Sequence, residues 1–132
     1  MRFVLSGLLL VAAAGGCSDS LGPGSINGTW AEPFTVPGNS WSMALTASGS
    51  TVTGAGSACG EAAACATITV QGTIDGAKVH LDFVESDFRP ARTPATQTSH
   101  FDGVLVGSGS LVGTLVGDSP SFPAAAVRYQ RN

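Results

Sequence analysis

Hydrophobic and polar residues alternate with a period of two along most of the chain after residue 25. In the run 66–74, for example, apolar residues or glycine occupy the even positions, and threonine or glutamine occupies the odd ones. A period of two with one polar face is typical of a half-buried antiparallel strand. Eight segments carry the pattern and predict eight strands. The residues predicted to face inward are Ile26, Gly28 and Trp30; Trp41, Met43 and Leu45; Val52, Gly54 and Gly56; Ala66, Ile68, Val70, Gly72 and Ile74; Val79, Leu81 and Phe83; Phe101, Gly103 and Leu105; Leu111, Gly113 and Leu115; and Ala125, Val127 and Tyr129.

Turn sequences join three pairs of neighbouring segments. We expect two-residue turns at 48–49 (Ser-Gly) and 75–76 (Asp-Gly), and a three-residue loop at 107–109 (Gly-Ser-Gly). A slip of one residue would turn a whole strand face to water, so the alternation tests each pairing. All three turns place inward positions opposite inward positions, with the pairs Leu45–Val52, Gly72–Val79 and Leu105–Leu111. Consecutive strands are therefore expected to pair as a meander.

The expected fold class is all-β, an eight-stranded antiparallel up-and-down meander barrel over residues 26–132. A two-sheet β-sandwich is the alternative. Tight turns gather at one end of such a meander, and the longer, proline-containing connections gather at the other. This long-loop rim carries aromatic and charged residues that suit either a binding edge or plugs over the barrel mouth. The candidate rim residues are Phe34, Phe88, Arg89 and Phe122.

A short apolar run precedes the alternating part of the chain. Arg2 is followed by apolar residues from Phe3 to Ala14, the length of a signal-peptide core and too short to span a membrane. The following Gly15-Gly16-Cys17 resembles the lipobox of bacterial lipoproteins, although that family usually has Leu where this chain has Ala14. An ordinary secretory signal cut near Ala14, with Cys17 a spare thiol, is the alternative.

The lipoprotein resemblance implies three segments and a location. Residues 1–16 would be the signal peptide, Cys17 would carry lipid, and 17–25 would be a flexible tether rich in Gly and Ser. Acylation makes the lipid bilayer a partner through the Cys17 anchor. In enterobacterial lipoproteins an Asp directly after the lipidated cysteine favours retention in the inner membrane. This chain has Ser18 at that position, so the resemblance implies the outer membrane of a Gram-negative bacterium.

Composition narrows the classes of function. Without the leader, the chain keeps 5 of its 6 basic residues and all 9 acidic ones, which argues against a nucleic-acid partner. No nucleophile–base pair or phosphate loop can be assembled from these residues, so we expect neither an enzyme nor a cofactor.

The two remaining cysteines, Cys59 and Cys65, suggest a disulfide in an exported protein. Six extended residues would span about 20 Å, and bridged Cα atoms lie about 4.4–6.8 Å apart. The chain must therefore double back between the two cysteines, as a hairpin loop does. A bridge centred on Ala62 would pair Gly56 with Ile68, so inward positions again meet. Metal ligation is the alternative, but no histidine lies nearby in the sequence.

Gly28-Thr29-Trp30 on the first strand of an eight-strand meander resembles the lipocalin and avidin group of barrels. In that group the Trp closes the barrel floor beneath a late-strand basic residue, a role that Arg128 or Arg131 would fill here. The resemblance implies a small apolar ligand in the barrel. The candidate ligand-binding residues are Trp30, Trp41, Met43, Phe83, Phe101 and Tyr129. The inward glycines leave room for such a guest or, alternatively, permit the sharp coiling of a closed barrel.

Two histidines and two aspartates fall on the outward face of adjacent strands. One register sets His80 opposite His100, and the next sets His80 opposite Asp102 and Asp82 opposite His100. Both registers gather residue types that bind zinc or copper, so the four residues are a candidate metal site. A solvated face with weak cross-strand charge pairs is the alternative. The sequence thus leaves two functions open, a binder of a small apolar ligand and a structural or protein-interaction module of the cell envelope.

Overall fold

Eight antiparallel strands form one closed barrel, and each strand pairs with its neighbours in sequence. The computed structural model describes residues 26–33, 40–60, 65–86, 96–118 and 123–132. The meander barrel predicted from the sequence is confirmed, and the sandwich alternative is wrong. The strands are β1 (Gly28–Ala31), β2 (Ser40–Ser48), β3 (Thr51–Cys59), β4 (Cys65–Asp75), β5 (Lys78–Ser86), β6 (Thr96–Val106), β7 (Ser110–Gly117) and β8 (Ala125–Arg131).

The barrel interior holds the hydrophobic positions that the alternation assigned to it. Trp41, Leu115 and Val127 are partly buried against this core. Ala125 is exposed, contrary to the prediction, because β1 pairs with β8 only at positions 130 and 131 and leaves the start of β8 uncovered on that side. The fully buried core residues include Ile26, Trp30, Met43, Leu45, Val52, Ile68, Val70, Ile74, Leu81, Phe101, Leu111 and Tyr129.

Two of the predicted turns are displaced by one residue. Ser48 pairs with Thr51 and Asp75 pairs with Lys78, so the turns are 49–50 and 76–77. In both turns glycine takes the first loop position, with φ of 60° at Gly49 and 59° at Gly76. Glycine adopts that backbone conformation readily, and glycine at the first loop position is the pattern of a type II′ turn, whereas the predicted turns placed glycine second. In each hairpin the two strands are shifted by two positions relative to each other, so every side chain keeps its predicted face.

The other two predicted registers are confirmed. Leu105 pairs with Leu111 across the three-residue loop at 107–109. Gly56 pairs with Ile68, and Cys59 faces Cys65 at the end of that ladder. The Cys59–Cys65 disulfide is present with its Cα atoms 4.1 Å apart. It closes the β3–β4 hairpin at the long-loop end of the barrel.

The two ends of the barrel differ in their connections. The tight-turn end contains the turns 49–50, 76–77 and 107–109. Both termini of the described barrel also lie there, since the Asn132 amide donates to the Thr29 carbonyl at 2.9 Å. The long-loop end contains the connections from β1 to β2, β3 to β4, β5 to β6 and β7 to β8.

Inward glycines sit where neighbouring strands come unusually close. An added Cβ at Gly56 would overlap the Ser42 carbonyl oxygen and lie 2.8 Å from the Met43 Cα. A Cβ at Gly72 would overlap the His80 carbonyl oxygen in the same way. The space beside these glycines is occupied by backbone, which favours the coiling interpretation over room for a guest. The same crowding occurs at Gly54, Gly103 and Gly113.

Candidate functional site

The tight-turn end of the barrel is closed by Trp30. Its indole N–H donates to the Ile26 carbonyl at 2.9 Å, and the ring is fully buried. The Arg131 guanidinium lies 4.6 Å from the ring centroid, a cation–π contact. Of the two arginines considered from the sequence, Arg131 takes this position. Gly28 makes room for it, because a Cβ there would lie 2.8 Å from Arg131 Nη1.

Arg131 also ties this end of the barrel together through backbone carbonyls. Its Nε donates to Ser108 O at 2.7 Å, and its Nη1 donates to Asn27 O. Its own amide donates to Gly109 O at 3.0 Å. One side chain therefore joins the segment before β1, the β6–β7 loop and β8.

Four of the predicted ligand-binding residues form one aromatic cluster, which we define as Trp41, Phe83, Phe101 and Tyr129. Trp41 stacks on Tyr129 with ring centroids 4.7 Å apart. Phe83 meets the Trp41 ring edge-on at 5.6 Å, and Phe101 meets Tyr129 at 5.5 Å. These are favoured aromatic geometries. Met43 pairs with Trp30 across β1 and β2, so the remaining two candidates lie nearer the floor.

The aromatic cluster is packed largely against itself. Phe83, Phe101 and Tyr129 are buried, and Trp41 is partly exposed where β2 begins at the long-loop end. Burial, followed by the charge of Glu32, raises the pKa of the Tyr129 hydroxyl, which therefore stays neutral. Burial also raises the pKa of Glu32. Of the four cluster residues, only Trp41 therefore presents part of its ring to solvent.

The outward face of β5 and β6 adopts the second of the two registers left open by the sequence. His80 pairs with Asp102, and Asp82 pairs with His100. His80 Nδ1 lies 2.6 Å from Asp102 Oδ1, and its Nε2 lies 3.1 Å from Asp82 Oδ1. The hydrogen bond to Asp102 is the largest influence on His80 and raises its pKa. A doubly protonated ring satisfies both carboxylates as a donor.

The candidate metal site does not acquire a metal-binding geometry. His100 turns to a different carboxylate, Asp118, at 3.7 Å, and its ring centroid lies 6.2 Å from that of His80. Within the described ranges, no three His, Cys, Asp or Glu side chains are placed to hold one metal ion. The four residues are partly or fully exposed, which matches the alternative of a solvated face with cross-strand pairs.

An open groove of about 410 Å³ lies beside His80 on the outer surface of β4, β5 and β6. The pattern of residue types along the chain does not predict this groove. Alternation assigns each residue to a face, but the concavity of that face depends on how sharply the strands coil. The groove is lined by Thr73, Asp75, Lys78, Val79, His80, Asp102, Gly103 and Val104.

Several predicted sites fall outside the described residues. These are the signal peptide at 1–16, the tether at 17–25 with Cys17, and the rim residues Phe34, Phe88, Arg89 and Phe122. The described part of the chain has no helix with the length and hydropathy of a membrane span. No protein-family model matches this chain, and no curated protein matches its sequence.

Proposed function

We propose that this chain is an exported lipoprotein, anchored through Cys17 in the outer membrane of a Gram-negative bacterium. Its barrel acts as a rigid platform that presents the long-loop end to another protein of the cell envelope. The observation that carries the platform role is the crowding of the interior glycines. At Gly56 and Gly72 the neighbouring strand's backbone occupies the place where a side chain would begin, so these glycines serve close strand packing.

The connectivity supports an orientation with the long-loop end away from the membrane. The chain enters β1 at the tight-turn end, so an anchor at Cys17 draws that end toward the bilayer. The longer connections then face outward, where a partner can reach them. Surface loops on a rigid scaffold are a common place for recognition.

A second candidate function rests on Trp41. This side chain is partly exposed at the long-loop end and stacks on Tyr129 at 4.7 Å, so it offers an aromatic surface to a small apolar ligand. The ligand would then sit at the mouth of the barrel rather than deep inside it. This second function keeps the lipid anchor and differs from the first only in what the long-loop end binds.

The anchor is tested by producing the full chain in a Gram-negative host with an alkyne-labelled fatty acid. We expect label on the wild-type chain and none on Cys17→Ser, together with co-fractionation of the wild type with outer membranes. An unlabelled wild-type chain released as a soluble product would overturn the anchor.

The platform role is tested by placing a photo-crosslinking amino acid at Ser40, at the long-loop end, and at Ser50, in a tight turn. We expect adducts of protein mass from position 40 only.

Native mass spectrometry and titration with phenylnaphthylamine, with Trp41→Ala as control, test the second candidate. A retained small molecule, or probe binding lost in Trp41→Ala, would favour the ligand over the platform.

A further inference from the structure

Exposed valines cluster near the tight-turn end of the barrel. Val104 is 42% exposed and Val106 is 48% exposed, and they follow one another on the outer face of β6. Val112 on β7 pairs directly with Val104 and is partly exposed. We call these three residues the valine patch. Of the large hydrophobic residues exposed in the described ranges, only Val84 lies elsewhere.

Basic residues flank the valine patch on both sides. Lys78 pairs with Val104 across β5 and β6, and Arg128 pairs with Val112 across β7 and β8. Within the described ranges, this end carries Lys78, Arg128 and Arg131 against Asp75 and Asp102, which lines the same groove as Lys78 and Val104, so its net charge is +1. The chain as a whole has a net charge of −3. The local charge is therefore opposite to that of the protein.

The position of the described amino end adds an independent constraint. Ile26 lies at the tight-turn end, and the nine residues 17–25 separate it from the start of the candidate anchor. Nine extended residues reach about 30 Å at most. An anchor at Cys17 therefore keeps the valine patch and its basic neighbours within one short tether of the bilayer surface.

We propose that the valine patch, with Lys78 and Arg128, docks the barrel on the surface of the bilayer that holds its anchor, and that anionic phospholipid headgroups are the ligands. The amine and guanidinium would pair with phosphate oxygens, and the valines would enter the headgroup region. This inference rests on the proposed lipid anchor. It adds that the barrel lies against the membrane by a defined face instead of moving freely on its tether.

Hydrogen exchange of the acylated full chain tests the docked state. The chain is placed in vesicles of phosphatidylcholine alone, or of phosphatidylcholine with phosphatidylglycerol. We expect backbone exchange at the turns 76–77 and 107–109 to slow several-fold in the anionic vesicles relative to the neutral ones. Exchange at the start of β8, at the opposite end, should not change.

Two double variants with the same net charge test whether the position of the basic residues matters, rather than the charge of the whole protein. Lys78→Gln with Arg128→Gln lowers the net charge by two at the patch, and Thr69→Glu with Thr96→Glu lowers it by two nearer the other end. The first pair should lose the protection of the turns, and the second pair should keep it. Val106→Ser should weaken the protection of the turns in the anionic vesicles. Unchanged core-amide exchange shows that each variant is folded.

The outcomes distinguish this inference from the anchor on which it rests. If the wild type is not acylated and does not float with vesicles, the proposed anchor is wrong and the docking falls with it. If the wild type floats but its turns exchange equally in both vesicle types, the anchor stands and the docking is overturned. Protection that survives Lys78→Gln with Arg128→Gln also overturns the role of the basic residues.

Discussion

At the scale of single residues, the interior glycines carry the information that a hydrophobic pattern cannot. A glycine at an inward position adds no signal to the alternation, since it has neither a hydrophobic nor a polar side chain. The structure shows that backbone from the adjacent strand fills the place of the missing side chain. The missing side chains therefore allow the strands to approach one another closely.

We predict that Gly56→Ala destabilises the barrel by about 3 kcal/mol, at the upper end of overpacking costs. The new methyl group would overlap the Ser42 carbonyl oxygen, so a β2 or β3 backbone shift is required. Urea unfolding of both proteins measures the change. Gly109→Ala is the control, because a Cβ there meets nothing within 4 Å. Equal loss in both variants would contradict the crowding argument.

His80 gives a prediction about pH. Its folded pKa is raised above the usual 6.5 by the hydrogen bond to Asp102, so folding favours the protonated ring. The stabilisation is fully present below about pH 6.5 and is lost as the pH rises through the folded pKa. Because the side chain is 41% exposed, we expect less than about 1 kcal/mol.

The comparison of wild type with His80→Gln by urea unfolding at pH 5 and pH 8.5 tests this expectation. The stability difference should appear at the lower pH and shrink at the higher one. A pH-independent difference would show that packing rather than charge is responsible. An NMR titration should also place the His80 midpoint above 6.5.

At the scale of elements, each hairpin is defined by the faces of its strands and the position of its turn. The faces followed from the alternation, and the β3–β4 and β6–β7 registers were also predicted correctly. The β2–β3 and β4–β5 turns were each placed one residue early. A side-chain pattern with a period of two is unchanged when the strands slide by two, so the alternation does not distinguish the two registers.

The β3–β4 hairpin carries the disulfide, which yields an element-scale prediction. Replacing Cys59 and Cys65 by Ala should lower the free energy of unfolding by about 2 kcal/mol, the chain-entropy value for so short a loop. The far-ultraviolet circular dichroism of the barrel should be retained, because the ladder from Ala58–Ala66 onward is independent of the bridge. Loss of the barrel spectrum under native conditions would contradict this expectation.

At the scale of the whole molecule, the barrel closes through its shortest seam. β1 pairs with β8 at only two positions, Trp30–Arg131 and Ala31–Gln130. The Arg131 side chain reinforces this seam through the Trp30 ring and two carbonyls. Closure of the barrel at this seam therefore depends strongly on the Arg131 side chain.

We predict that Arg131→Ala lowers the stability by about 2 kcal/mol, from the loss of a cation–π contact and charge-assisted hydrogen bonds. Amide exchange should accelerate first in β1, which has the shortest ladder. Arg131→Lys should recover the charge without the planar fork and regain only part of the loss. Faster exchange in β4 instead of β1 would locate the weak point elsewhere.

The sequence by itself determined the all-β class, the strand order, the inward set apart from Ala125, and the disulfide, because each follows from alternation or from the spacing of named residues. Tertiary structure decided which carboxylate each histidine meets, which arginine covers Trp30, and where the outer surface becomes concave. These features depend on barrel register and coiling, which involve strands far apart in the chain. Alternation defines only the side of a strand on which a residue lies. The neighbour that it meets there is decided when the sheet closes.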